Sequence, residues 1–108
     1  MEKMKKIIML VCAAGMSTSL MVEKMKKAAE AKGMDAEIFA VSASEADNYL
    51  EDKKIDVLLL GPQVRFMKSQ FEEKVAPLGI ALDVIQMVDY GMMNGAKVLE
   101  QAIKLMNN

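Results

Sequence analysis

Apolar, strand-like segments alternate along this chain with segments in which the apolar residues repeat at helical spacing. The strand-like segments cover residues 6–11, 35–41, 55–60 and 80–84 or 80–85. The first of them is a continuous apolar run, which is typical of a strand that is buried on both faces of a parallel sheet. The pattern predicts the element order β-α-β-α-β-α-β-α.

The segments between and after these runs carry the signals of helices. The predicted helix from Ser17 ends at Gly33, which can adopt the left-handed conformation of a helix stop. Ser42 and Glu45 have the spacing of a capping box, and Pro62 suits the first turn of the third helix. The last helix is predicted to begin between Tyr90 and Gly95 and to end near Met106. The inward-facing stripes are Met21, Met25 and Ala28; Ala46, Tyr49 and Leu50; Val64, Met67, Phe71 and Val75; and Leu99, Ala102, Ile103 and Met106.

This alternation predicts one α/β domain over residues 1–108. Right-handed crossovers place helices on both faces of a four-stranded parallel sheet, with the flavodoxin-like strand order 2-1-3-4. Ligands of such sheets bind beyond the carboxyl ends of the strands, where the strand order reverses. We therefore expect a site between Cys12–Ser19, after the first strand, and Gly61–Gln63, after the third.

Composition removes several classes of function. The net charge of the 108 residues is −1, and Lys and Glu are interspersed, whereas nucleic-acid binding needs a basic face. The chain has no histidine, which excludes histidine metal sites, histidine general bases and a phosphohistidine carrier. The twelve methionines are interpreted as core residues.

The cellular setting is also predicted from composition. One cysteine cannot form an internal disulfide, and this favours a reducing compartment, the cytoplasm. The lysines before Ile7 imitate an export signal, but the apolar stretch is short and lacks an Ala-x-Ala-like cleavage site. No segment approaches the length of a membrane span. We expect neither export nor membrane insertion.

The candidate chemistry lies in the loop that follows the first strand. Cys12 is followed by Ala13, Ala14, Gly15, Met16, Ser17, Thr18 and Ser19. A helix N-terminus close to a thiol favours the nucleophilic thiolate, and converging backbone amides bind phosphate. The three small residues allow a tight curl of the chain. The hydroxyl groups of Ser17, Thr18 and Ser19 either contact phosphate or cap the helix.

Three other interpretations of this loop remain open. Cys12 taken alone could be an inert, buried strand-end residue. A further possibility, nucleotide hydrolysis, is not expected, because no Gly-Lys-Ser/Thr follows the loop. A Cys-x5-Arg phosphatase loop would need Arg where the chain has Thr18, and without that guanidinium charge stabilisation in the transition state suffers. A non-enzymatic module with a receiver-like fold would need acidic residues where the first strand ends in Cys12.

These residues resemble a known family, the cytoplasmic enzyme IIB components of the phosphoenolpyruvate-dependent sugar phosphotransferase system, of the lactose/cellobiose/chitobiose type. The resemblance rests on the Cys12–Ser19 loop, on Leu60-Gly61-Pro62-Gln63 and on Asp89-Tyr90-Gly91, and the strand–helix layout matches over essentially the whole chain. The family's fold is similar to the three-layer sandwich of low-molecular-weight phosphatases, which is why a hydrolase of that class is the alternative.

The resemblance implies a function. Cys12 would be the phosphocysteine, phosphorylated by a histidine of enzyme IIA, and would pass the phosphate to a sugar held by the membrane-embedded enzyme IIC. Cellobiose or a related β-linked disaccharide is the expected sugar. No metal and no organic cofactor are expected, and the expected oligomeric state is a monomer.

Residues outside the loop carry weaker predictions. Gly61, Pro62 and Gln63 either border the phosphate or form an ordinary start of a helix. Arg65, Phe66 and Tyr90 are candidates for a partner-docking surface, since Phe66 lies off the apolar stripe of its helix. Asp89 is interpreted as a surface or capping carboxylate, because Thr18 in place of Arg removes the case for a phosphatase general acid.

Overall fold

A computed structural model of the chain describes residues 5–12, 16–52 and 54–107. Four strands and five α-helices alternate along it, and short 3₁₀ segments cover Pro62–Met67 and Ala76–Leu78. In chain order the elements are β1 (Lys6–Cys12), α1 (Met16–Ala31), β2 (Ala36–Ser42), α2 (Ala46–Asp52), β3 (Val57–Leu60), α3 (Lys68–Val75), β4 (Ala81–Val84), α4 (Met87–Gly91) and α5 (Gly95–Met106).

The four strands form one parallel sheet in the order β2-β1-β3-β4, which confirms the predicted topology. In its register, β1 runs beside β2 from the pair Lys6–Ala36 to the pair Cys12–Ser42, and beside β3 from Ile8–Val57 to Val11–Leu60. The long first strand therefore lies in the interior of the sheet, with a partner on each side.

Each face of the sheet buries its own apolar cluster. Because side chains alternate along a strand, Ile8 and Leu10 pack on the face covered by α1 and α5. Met9 and Val11 pack on the opposite face, against α2, α3 and the 3₁₀ segment before α3. Residues 8–12 of β1 are buried throughout, which is the physical reason for the continuous apolar run in the sequence.

The helix stop predicted at Gly33 is confirmed. Gly33 follows α1 with φ +68°, and its neighbour Met34 donates a backbone hydrogen bond to the Ala29 carbonyl at 2.9 Å, which closes the end of the helix. Gly79, with φ +72°, turns the chain from the 3₁₀ segment Ala76–Leu78 into β4.

The structure corrects the predicted elements in three places. The segment after Pro62 is first a 3₁₀ helix, Pro62–Met67, with a kink at Val64 (φ −116°, ψ 22°) before α3 begins. Ser42 and Glu45 do meet, with Ser42 Oγ 3.2 Å from Glu45 Oε1, but α2 begins only at Ala46, after a turn. The short helix α4 was not predicted.

The methionines do not all belong to the core, as the composition had suggested. Met9, Met21 and Met25 are fully buried, whereas Met87 is 59% exposed and Met92 is 74% exposed. The prediction is therefore wrong for the two methionines in and just after α4. None of the helices in the described part of the chain is both long and apolar enough to span a membrane.

Gly95 lets the start of α5 approach α1 closely. A Cβ atom built on Gly95 would lie 2.6 Å from the carbonyl carbon of Lys24 and 2.7 Å from the backbone nitrogen of Met25. Both atoms belong to the backbone of α1 and cannot rotate away. The contact between the two helices that cover one face of the sheet therefore requires glycine at this position.

We predict that Gly95→Ala lowers the free energy of unfolding by about 1–3 kcal/mol, the usual cost of forcing an extra carbon into a packed interior. Urea denaturation measures this change. Gly91→Ala is the matched control, because a Cβ there has no neighbour within 4 Å; it should leave stability unchanged or raise it by up to about 1 kcal/mol. Equal stability of the two variants would contradict the close approach of α5 to α1.

Candidate functional site

Cys12 is the last residue of β1, and its backbone is held on both sides. It pairs with Ser42 of β2, and its carbonyl accepts a hydrogen bond from Ala43 N–H at 3.2 Å. On the other side, Gly61 N–H donates to the carbonyl of Val11 at 2.8 Å. The thiol is therefore carried by the carboxyl end of a strand that has little freedom to move.

The side chain of Cys12 is buried, with 2% of its surface exposed. By the alternation along β1 it points to the face of the sheet that α1 and α5 cover. The thiol donates to the carbonyl of Val41 at 3.8 Å, a long contact typical of sulfur. Burial agrees with the inert-cysteine alternative, so the case for a nucleophile rests on what surrounds the thiol.

The segment after β3 lies directly beside Cys12. A Cβ atom on Gly61 would stand 3.8 Å from Cys12 Cβ and 2.9 Å from Gln63 Oε1. Gly61 is buried, Pro62 is half-buried and Gln63 is exposed. The structure thus brings together the two segments between which the sequence predicted a site. Gly61 has no side chain, and Gln63 Oε1 lies close to the place that a Cβ atom would occupy there.

The loop that links Cys12 to α1 was predicted to bind phosphate. Ala13, Ala14 and Gly15 lie outside the described residues. Met16 and Ser17 form the start of α1, and Ser19 is exposed. Since α1 begins at Met16, the three hydroxyl residues lie in its first turn, and their capping role stays a prediction.

Thr18 is fully buried in the first turn of α1. Its Oγ1 lies 3.2 Å from the hydroxyl oxygen of Tyr90, and either group can be the donor. This bond joins residues 72 positions apart in the chain, and no local pattern in the sequence points to it.

A shallow groove opens between the 3₁₀ segment Pro62–Met67 and α4. Its lining residues are Pro62, Gln63, Arg65, Phe66, Met87, Tyr90 and Gly91. Phe66 is 78% exposed, as its position off the helical stripe predicted. Met87, Val88 and Met92 are also exposed, so an apolar surface surrounds the groove. Of these residues the sequence had singled out Arg65, Phe66 and Tyr90 for partner docking.

The charged groups near the site are few. Asp89 lies half-buried in the first turn of α4, where a carboxylate interacts favourably with the positive end of the helix. The residue before this helix is Gln86, and no side chain of the described residues caps the helix by a hydrogen bond. Within residues 5–12, 16–52 and 54–107, no group of three or more Cys, Asp or Glu side chains is placed to hold a metal ion. The candidate nucleophile among the described residues is the thiol of Cys12.

Comparisons with known proteins agree with this geometry. A family model described as the lactose/cellobiose-specific IIB subunit of the PTS system matches residues 7–101. A galactose-specific EIIB component of the PTS system from Lactococcus lactis subsp. cremoris is 57% identical over 105 residues, which cover 94% of this chain and 97% of that protein. A cellobiose-specific EIIB component from Lactococcus lactis subsp. lactis is also 57% identical, with the same coverage.

A solved structure extends the comparison to the fold. The solution structure of a cellobiose-specific phosphotransferase IIB component from Borrelia burgdorferi superposes with a TM-score of 0.80 at 42% identity, covering 99% of this chain and 96% of that one. The match of both sequence and fold extends over nearly the whole chain, and the site at Cys12 and Gly61 lies within it. The chain belongs to the lactose/cellobiose-specific IIB subunit family of the sugar phosphotransferase system.

Proposed function

We propose that Cys12 is the phosphate carrier of a IIB component: it accepts phosphate from a phosphohistidine of enzyme IIA and transfers it to a sugar held by the membrane protein IIC. The observation that carries this proposal is the position of Cys12. A lone thiol stands at the switch point of a parallel sheet, beside Gly61 and ahead of the N-terminus of α1, in a chain of the IIB family.

The first transfer is a nucleophilic displacement at phosphorus. Cys12 Sγ attacks the phosphoryl group, the S–P bond forms, and the P–N bond to the histidine of the partner breaks. The imidazole nitrogen that leaves takes up the proton that the thiol gave up. In the second transfer a hydroxyl oxygen of the sugar attacks the same phosphorus, the S–P bond breaks, and the hydroxyl proton goes to a base of the acceptor complex. The thiolate is then restored.

The loop after Cys12 fits a carrier better than a hydrolase. We propose that the backbone N–H groups of residues 13–19 bind the phosphoryl oxygens, as amides at a helix N-terminus do, and that Gly61, Pro62 and Gln63 border this site. A phosphatase of this fold would clamp the phosphoryl group with an arginine at position 18. Arg65 is the only arginine in the sequence, and position 18 is a buried threonine bonded to Tyr90. Attack by water on the thiophosphate is therefore slow.

The surface around the groove is proposed as the docking site for phosphorylated IIA. Phe66, Met87, Val88 and Met92 expose apolar area that has no structural use in the isolated chain. Arg65 adds a positive charge to the groove, which attracts a partner that carries a phosphoryl dianion. The contact must be transient, since the same surface has to release IIA before it meets IIC, and a modest interface suits this requirement.

The sugar is proposed to be cellobiose or a related β-linked disaccharide. The galactose-specific and the cellobiose-specific relatives are equally similar to this chain, while the solved structure with 42% identity is of a cellobiose-specific component. Specificity for the sugar is assigned to IIC, since the proposed site on this chain contacts only the phosphoryl group. We further propose that the protein acts in the cytoplasm as a monomer with one domain over residues 1–108.

We predict that incubation with phosphorylated IIA adds one phosphoryl group to the protein, and that Cys12→Ser abolishes the addition because a serine hydroxyl is not ionised at neutral pH. Intact-protein mass spectrometry measures the adduct. Circular dichroism of the variant provides the control for folding. In the same preparation, hydrolysis of p-nitrophenyl phosphate should stay near background. An unmodified wild-type protein, or turnover at enzymatic rates, would contradict the carrier function.

We predict that Phe66→Ala raises the KM for phosphorylated IIA by roughly tenfold, as the loss of one exposed aromatic anchor of an interface can do. The kcat should change little, because Phe66 does not touch the reacting atoms. Leu78→Ala is the matched control: Leu78 is 54% exposed but belongs to the 3₁₀ segment before β4, at the opposite end of the sheet. Equal KM values for both variants would argue against docking at the groove.

A further inference from the structure

The bond between Thr18 and Tyr90 is a candidate for a role in phosphotransfer beyond packing. Both residues are buried, and the two hydroxyl oxygens lie 3.2 Å apart. Burial of a hydroxyl group costs free energy unless the group finds a hydrogen-bond partner. Here each of the two hydroxyl groups is the partner of the other. The bond links the first turn of α1 to α4, two elements that meet at the Cys12 end of the sheet.

The side chain of Tyr90 attaches the helix α4 to the rest of the protein. The helix has only five residues, and Tyr90 is its one buried side chain. Met87 and Val88 point into solvent, so they do not hold α4 against the rest of the protein. Tyr90 therefore carries the attachment of the helix through its ring, which packs in the apolar cluster with α1 and α5, and through its hydroxyl, which is bonded to Thr18.

We infer that Thr18 is a positioning residue for phosphotransfer: its buried hydroxyl acts through Tyr90 to fix α4, and with it the proposed docking surface, relative to Cys12. This inference rests on the proposed function of Cys12. It assigns the side chain of Thr18 to the protein interior and leaves only its backbone N–H for the phosphate. Thr18 stands where a phosphatase has its arginine. In this protein it thus aligns IIA with the thiol of Cys12.

Few contacts separate α4 from Cys12. Tyr90 and Met87, one turn of helix apart, line the same groove as Gln63. Gln63 Oε1 in turn lies against Gly61, whose missing Cβ would touch Cys12 Cβ. A shift of α4 would therefore move one wall of the groove relative to the other wall, which is fixed to the thiol through Gly61. The expected effect is poorer docking and not slower chemistry.

The test uses variants that change hydroxyl groups and little else. Thr18→Val keeps the shape and burial of the side chain, Thr18→Ser keeps the hydroxyl, and Tyr90→Phe keeps the ring. For phosphate transfer from phosphorylated IIA, we expect Thr18→Val and Tyr90→Phe each to raise KM by roughly three- to tenfold, the effect of one hydrogen bond of ordinary strength. The kcat should stay close to that of the wild type, and Thr18→Ser should restore KM.

The double variant Thr18→Val/Tyr90→Phe decides whether the two residues act through each other. If they do, its KM equals that of either single variant, because the bond is lost only once. Hydrogen exchange of the amides of Tyr90 and Met92 should also become faster, and by the same factor in each single variant. This second readout needs no partner protein and reports on α4 directly.

Three results would overturn the inference. A fall in kcat on Thr18→Val would mean that the hydroxyl contacts the transferring phosphoryl group. Multiplied effects in the double variant would mean that the two residues act independently, and wild-type KM in Thr18→Val would mean that the bond is not needed. All three presuppose phosphorylation of the wild type. A wild-type protein that takes no phosphate would instead refute the proposed function and this inference with it.

Discussion

The parallel pairing of β1 with a strand on each side is the constraint on which the rest of the structure depends. Seven residue pairs join β1 to β2, and four join it to β3. This double pairing delivers Cys12 to a fixed point at the carboxyl edge of the sheet, and the hydrogen bond from Gly61 to Val11 sets the neighbouring segment against it. The location of the thiol is thus a property of the sheet.

A buried thiol and an exposed apolar surface both suit a protein that carries phosphate. Burial of Cys12 restricts the approach of water, while Phe66 and the residues of α4 present a surface to which a protein can bind. Two of the exposed residues in this surface, Met87 and Met92, have flexible side chains that adapt to differently shaped partners. This property suits a protein that has to meet a donor and an acceptor in turn with the same face.

Much of the fold could be predicted from the sequence, because strand-like apolar segments alternate with helices that carry regular apolar stripes. The proximity of Cys12 and Gly61 could also be predicted, since the carboxyl ends of adjacent parallel strands share one edge of the sheet. The helix α4 could not be predicted, because five residues with one buried side chain produce no periodic pattern. The bond between Thr18 and Tyr90 leaves no local signal either, and the close approach at Gly95 becomes visible only when α1 and α5 are packed together.

A bond between phosphorus and the sulfur of Cys12 is tested most directly by a two-dimensional ¹H–³¹P correlation spectrum of the protein after phosphorylation by IIA. We expect one phosphorus resonance that correlates with the two β-protons of Cys12. A resonance that correlates with protons of Ser17, Thr18 or Ser19, or with those of any other residue, would contradict this expectation.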